Sequence, residues 1–217
     1  MNRIKEALEH FESQKPVNFL KEWDQLIFHL PYAFQGRRMI TPMWVNWMIA
    51  NNQSEILKSE TELDIPDENS QDWNGFVKAC SKTPTYKTYV ADKIARGEIA
   101  SSDIGNMYTA SIFMSLVSYL FASAENEEEL SGKTVGFLSY GSGSKSKVFS
   151  GVVQPNWKAK IQDLNLFSTL ENRQAIDFGT YEKLQKKALK TPLRRSELQL
   201  KNIGVEENDL GYRYYTA

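Results

Sequence analysis

Cysteine and histidine are almost missing from this chain. Its 217 residues include one cysteine, Cys80, and two histidines, His10 and His29. A single cysteine excludes an internal disulfide and fits a reducing, cytoplasmic setting. So few soft donors leave too little to build a zinc site. Long apolar runs are lacking too. The stretches from Ala110 to Ala124 and from Met43 to Ala50 are short and broken by Ser, Asn and Trp, which argues against a membrane span. There is no cationic excess: 26 Lys and Arg against 27 Asp and Glu give a net charge of −1, which argues against a general nucleic-acid binder. The N-terminus has a charged, amphipathic pattern and not that of a signal peptide. No residue ahead of Met1 caps that helix, so it reads as if cut from a longer segment. Neither an internal repeat nor a low-complexity tract is visible. Hydrophobic content of 41% is ordinary for a globular chain of one or two domains.

Within that frame the pattern alternates between helix and strand. Ile4, Leu8 and Phe11 give residues 1–13 one apolar helical face. Asp24 to Pro31 is a run of large apolar residues ended by proline, the mark of a buried strand, with His29 at its carboxyl end. In α/β sheets ligands bind at such ends. Tyr32 to Asn51 reads as a helix with Phe34, Met39, Met43, Trp47 and Ile49 inward, and Pro42 is expected to kink or split it. Residues 51–72 are polar and acidic and read as a loop or loose insertion. Trp73 to Arg96 reads as helix broken around Thr83-Pro84, and Gly97 to Gly105 as a connector. Asn106 to Ala124 is apolar nearly all round with small Ala and Ser at intervals, so it reads as a helix buried on several sides.

Thr134 to Ser139 and Lys147 to Val153 read as two strands joined by Tyr140-Gly141-Ser142-Gly143-Ser144. Glycines in that turn let backbone N–H groups approach a ligand without a Cβ in the way, although a plain hairpin turn has the same composition. Farther on, Lys158 to Arg173 is short and mixed. Asp177 to Lys190 reads as an amphipathic helix, and Glu197 to Ile203 and Gly211 to Thr216 as two terminal strands. The whole is an α/β or α+β layer architecture. Three polar positions stand out: His29 at a strand end, Asn106 opening a helix after glycine, and Ser142 in the glycine-flanked turn. Singly, each has an ordinary structural role, such as a helix cap for Asn106.

Taken in order, Phe28-His29-Leu30-Pro31-Tyr32, Gly105-Asn106-Met107-Tyr108-Thr109-Ala110-Ser111 and Phe137-Leu138-Ser139-Tyr140-Gly141-Ser142-Gly143 resemble the C-terminal half of 3-hydroxy-3-methylglutaryl-CoA synthase. The resemblance runs over most of the chain, to Gly211-Tyr212-Arg213-Tyr214-Tyr215. It implies half of a thiolase-like fold, a mixed five-stranded sheet covered by helices, as one domain over 1–217 with a polar insertion near 51–72. It implies an acyltransferase of the mevalonate route to isoprenoids that condenses acetyl-CoA with acetoacetyl-CoA to HMG-CoA and CoA. The thioesters are its substrates, with no cofactor besides. By the same resemblance His29 is catalytic and orients the acetoacetyl carbonyl. Asn106 and Ser142 contact the acyl group, Tyr108 and Tyr140 stand in the same motifs, and Arg38 holds a CoA phosphate.

There are departures. The family's earlier phosphate-holding cation falls on Phe34, with Arg37 as a substitute nearby. The cysteine nucleophile and the acid/base glutamate belong to the family's N-terminal half, and neither is in these 217 residues. Cys80, in Lys78-Ala79-Cys80-Ser81-Lys82, reads as an incidental thiol, and Asp24 and Asp103 carry no acid/base motif. The chain is therefore expected to supply substrate contacts to an assembled, homodimeric enzyme and to be inactive alone. A lone half would expose apolar surface and associate. Two alternatives stay open: a non-catalytic thiolase-like subunit that binds acyl-CoA or a partner, and a relative acting on carrier-bound acyl groups in polyketide β-branching.

Overall fold

A computed structural model describes residues 2–140, 145–189 and 199–216 of the chain. They divide into two compact units, Met1–Asn172 and Arg173–Ala217. The first unit runs α1 (Asn2–Gln14), α2 (Phe19–Glu22), β1 (Gln25–Phe28), α3 (Gln35–Ala50), α4 (Ser54–Thr61), α5 (Trp73–Cys80), α6 (Pro84–Lys93), α7 (Ala95–Ile104), α8 (Ala110–Glu125), β2 (Thr134–Tyr140), β3 (Ser146–Val152), α9 (Trp157–Ile161) and α10 (Leu166–Glu171). The second holds α11 (Phe178–Gln185), β4 (Gln199–Ile203) and β5 (Arg213–Thr216). Among the described residues no helix is long and apolar enough to cross a membrane.

Period-2 alternation explains the sheet. β1 pairs in parallel with β2, from Gln25 opposite Val135 to Phe28 opposite Leu138, and β2 pairs antiparallel with β3. All four β1 residues are buried, because both faces are covered. Leu26, Phe28 and Leu138 join one core with α1, α3, α5 and α6. Ile27, Val135 and Phe137 join a second with Ile112, Tyr119, Trp157 and Ile161. Five strands are described, as the sequence suggests, but they do not form one sheet. Among the described residues β4 and β5 pair with each other and with no other strand, closed by Gly211 N–H donating to Gly204 C=O at 2.9 Å and Gly204 N–H to Tyr212 C=O at 2.8 Å.

The helices depart from the sequence reading at four places, each for a packing reason. α3 stays whole across Pro42 and is turned from the expected face, burying Gly36, Met39, Ile40, Trp44, Val45 and Met48 while Phe34 is left 53% exposed. Gly36 sets that rotation: a Cβ there would lie 2.6 Å from the Phe28 ring, so this face alone docks on β1. Part of the expected 51–72 loop is α4, anchored by fully buried Leu57. The expected 97–105 connector is α7. Its Gly97 is a contact point and not a break, since a Cβ would meet Ser115 Oγ at 2.7 Å. Finally, α8 begins only at Ala110 and buries a polar stripe, Ser111, Ser115, Ser118 and Ser123, while Phe113 is 54% exposed. Ser118 Oγ donates to Arg96 C=O at 2.7 Å and accepts from Ala100 N–H at 3.2 Å, which brings α7 and α8 close.

The expected break at Thr83-Pro84 is present. Thr83 caps α6 by accepting from Tyr86 N–H, and Pro84 fills the first helical position. Thr83→Ala is expected to cost about 1 kcal/mol in urea unfolding. An unchanged midpoint would mean that the cap does not stabilise α6.

Candidate functional site

The site is built from the carboxyl ends of the two parallel strands. His29 follows β1 directly, and its backbone N–H donates to Leu138 C=O at 3.2 Å. That bond sets His29 beside the last residues of β2, Ser139 and Tyr140. Arg38 lies in the first turns of α3, where its Nη1 donates to the Tyr32 hydroxyl at 3.0 Å. Arg38 and Tyr140 line one cleft of about 350 Å³ with Ile4, Gln35 and Met39. Ser142 lies outside the described residues.

Asn106 and Tyr108 reach the same edge by another route. Gln25 Nε2 donates to Ile94 C=O, and Ile27 packs at Gly97, so α7 advances in the direction of β1. α8 then returns antiparallel, which leaves residues 105–109 beyond the carboxyl end of the strand. Asn106 does not cap α8. Its Oδ1 accepts from Tyr108 N–H at 2.8 Å, closing a local turn. Gly105 has φ of 82°, and Tyr108 has φ of 51°, a conformation that costs a non-glycine residue about 1 kcal/mol or more. The Tyr108 side chain is 79% exposed. Among the described residues no hydrogen bond joins Asn106 or Tyr108 to His29, Arg38 or Tyr140.

Electrostatics separates the groups that can act from those that cannot. His29 is half-buried, and among the described residues its ring makes no hydrogen bond. Burial lowers its pKa from the ordinary 6.5, so the imidazole is neutral at pH 7, with one N–H to donate and one nitrogen to accept. Cys80 is fully buried, and burial pushes its thiol up to about 11, which leaves no thiolate for nucleophilic attack. Asp24 is tied at the opposite end of β1, accepting from Thr134 N–H at 2.7 Å and from Lys133 Nζ at 3.1 Å. Arg37, the substitute cation that the sequence suggested, is ion-paired. Its Nε donates to both carboxylate oxygens of buried Glu98, at 3.1 and 2.8 Å, and its Nη2 to one at 2.6 Å. Nothing in the sequence pointed to that pair, because Glu98 sits in a stretch that reads as connector. Among the described residues no group of three His, Cys, Asp or Glu is placed to hold a metal ion.

A second, larger groove of about 840 Å³ opens between α3, α5 and α6. Phe34, Arg37, Arg38, Lys78 and Lys87 line it, and among the described residues no carboxylate does. The two lysines come from separate helices and carried no signal in the sequence.

Strands that end in parallel at one edge, beneath helices on both faces, make a layered α/β fold of the thiolase-like kind. Solved structures with that fold agree: MvaS in complex with 3-hydroxy-3-methylglutaryl coenzyme A superposes with a TM-score of 0.58 at 21% identity, over 98% of this chain and 46% of that one. The HMG synthase of the curacin biosynthetic pathway, in complex with holo donor-ACP, gives 0.57 at 21% identity over 83% and 36%. The chain belongs to the hydroxymethylglutaryl-coenzyme A synthase C-terminal family, which matches residues 1–204. It is similar to the hydroxymethylglutaryl-CoA synthase of Schizosaccharomyces pombe, 38% identical over 163 residues that make up 75% of this chain and 36% of that protein. The enzyme of Haloferax volcanii is 26% identical over 187 residues, 83% of this chain and 42% of that protein. The chain thus spans less than half the length of the curated relatives it matches.

Proposed function

We propose that this chain is the acceptor-orienting portion of a hydroxymethylglutaryl-CoA synthase, which condenses acetyl-CoA with acetoacetyl-CoA to HMG-CoA and CoA. The observation that carries the reading is His29: a neutral, half-buried imidazole with no hydrogen-bond partner for its ring among the described residues, at the carboxyl end of a buried strand. The new carbon–carbon bond forms at the ketone carbon of the acetoacetyl group, and negative charge gathers on the ketone oxygen. The N–H of His29 donates to that oxygen. Tyr140 flanks the acyl chain, the resemblance adds Ser142 as an acyl contact, Asn106 and Tyr108 approach from the 105–109 connection, and Arg38 holds a phosphate of CoA. The nucleophilic cysteine and the acid/base glutamate come from the rest of the family fold, in the same polypeptide or a separate one, within a cytoplasmic homodimer. Exposed Tyr108 and Phe113 support a partner surface on that side.

The test is acetoacetyl-CoA labelled with ¹³C at the ketone. A donated hydrogen bond draws density from the carbonyl carbon, so its resonance is expected to move downfield when the chain binds it. In His29→Ala that movement is expected to vanish. Binding with no shift, or a shift that survives in the variant, would remove His29 from this role.

A second reading keeps His29 and changes the carrier. Phe34 stands where the resemblance calls for a cation, and the curacin-pathway synthase was solved with a donor acyl carrier protein. An acyl group on a carrier protein would reach the same edge.

A further inference from the structure

The groove between α3, α5 and α6 raises a question that the resemblance leaves open. Phe34 removes one expected cation, and Glu98 neutralises Arg37. Among the described residues the lining nevertheless keeps three further cations, Arg38, Lys78 and Lys87, and no carboxylate. Lys78 and Lys87 are exposed and make no ion pair or side-chain hydrogen bond among the described residues. Arg38 also lines the smaller cleft with Tyr140, so a single side chain borders both spaces. Phe34 lies over the Arg37 guanidinium at 4.7 Å from ring centroid to Cζ, and the pair stands at the groove with much of the ring exposed. Partly buried Pro42, Val77 and Ala95 add apolar lining.

We infer that Lys78 on α5 and Lys87 on α6 hold the phosphate groups of a phosphorylated thioester in this groove, standing in for the cation absent at position 34. The inference rests on the proposed function and adds to it the residues that recognise the far end of the ligand. Two lysines on different helices form a clamp that tolerates more than one arrangement of phosphates, because each ammonium is a point charge on a flexible stem. Phe34 offers a flat base a stacking face, and Arg38 bridges the phosphates to the thioester end near Tyr140 and His29. The required chemistry is a phosphate ester next to pantetheine. That occurs on coenzyme A, which adds an adenosine 3′-phosphate, and on a carrier protein's prosthetic arm.

Calorimetric titration of the full chain with adenosine 3′,5′-bisphosphate and, separately, with pantetheine 4′-phosphate tests this. Saturable binding is expected, weakened about fivefold by Lys78→Gln and about fivefold by Lys87→Gln. The double variant is expected to lose more than either and to be less sensitive to added salt than the parent. Both lysines are exposed, so the variants should melt with the parent. Binding of the adenosine bisphosphate assigns the groove to coenzyme A, and lysine-dependent binding of pantetheine 4′-phosphate alone assigns it to a carrier arm. No binding at millimolar ligand, or affinities unchanged in the double variant, would overturn the inference. Its failure is separable from that of the parent reading. A ketone shift retained in the double variant at unchanged affinity sinks only the lysines. A missing shift with lysine-dependent phosphate binding sinks only the role of His29.

Discussion

Gly136→Ala is expected to destabilise the first unit by more than the roughly 1–3 kcal/mol usual for overpacking. Gly136 lies in the middle of β2, opposite Leu26, on the face shared with Leu138. The space where its side chain would be is filled by Trp23: a Cβ would fall 1.7 Å from Cε3, 2.2 Å from Cζ3 and 2.5 Å from Cδ2. The indole has nowhere to go. It is 2% exposed and wedged between Phe11, edge-on at 5.5 Å, and Phe19 at 5.7 Å. Relief would have to come from moving β2 away from Trp23, which breaks the ladder that sets His29 against Leu138. Overpacking usually costs about 1–3 kcal/mol where side chains can adjust. Here an aromatic ring meets backbone, and the cost should exceed that range in a fold whose whole stability is about 5–15 kcal/mol. Gly75→Ala is the matched control. Gly75 is inside α5, with nothing within 4 Å of a built Cβ, so alanine there is expected to stabilise by about 0.5–1 kcal/mol. Urea unfolding followed by tryptophan fluorescence reads both. A Gly136→Ala protein with the parent's midpoint would show that Trp23 does not occupy that space.

That contrast marks what local sequence can and cannot tell. The buried strand before His29, the hairpin of β2 and β3, and the break at Thr83-Pro84 are each legible, because each is fixed by residues adjacent in the chain. Gly97 is the opposite case. Glycine ordinarily signals a break, yet here it sits within α7 because Ser115 and Ile27 approach it, and those contacts are remote in sequence. The same holds for α8. Its hydropathy suggests burial all round, whereas the close approach of α7 selects the small hydroxyl residues for the inside and turns Phe113 outward. In α3 the expected helix is present but its phase is set by Gly36 against Phe28, a contact that periodicity cannot foresee. The site divides along the same line. His29 and Tyr140 are readable from strand ends. Arg37 looks like a free cation until Glu98 arrives from α7, and Lys78 and Lys87 look like surface charge until α3, α5 and α6 bring them to one groove.

Under the proposed function, and with the rest of the family fold supplied, His29→Ala is expected to lower kcat and kcat/KM for acetoacetyl-CoA together by about 10²–10³, the usual effect of removing one donor to a developing oxyanion. The two parameters fall together because the hydrogen bond strengthens as charge accumulates, and so acts mainly in the transition state. His29→Asn keeps an N–H donor on a shorter side chain and should recover part of the loss. A residual rate within threefold of the parent would exclude the role. The pH dependence of folding gives an independent check on the environment of the ring. Burial lowers the pKa of folded His29 from 6.5, while the unfolded chain keeps the ordinary value. On acidification the unfolded state therefore takes up this proton first. The His29 contribution is intact above about pH 6.5, is lost as pH falls below that value, and stops changing once the folded ring is protonated as well. His29→Asn has no such group, so the stability of the parent relative to this variant should decline as pH falls through and below about 6.5. A difference that stays flat as pH falls would mean that the imidazole is fully hydrated, and a fully hydrated ring is a poor donor to a ketone oxygen in competition with water.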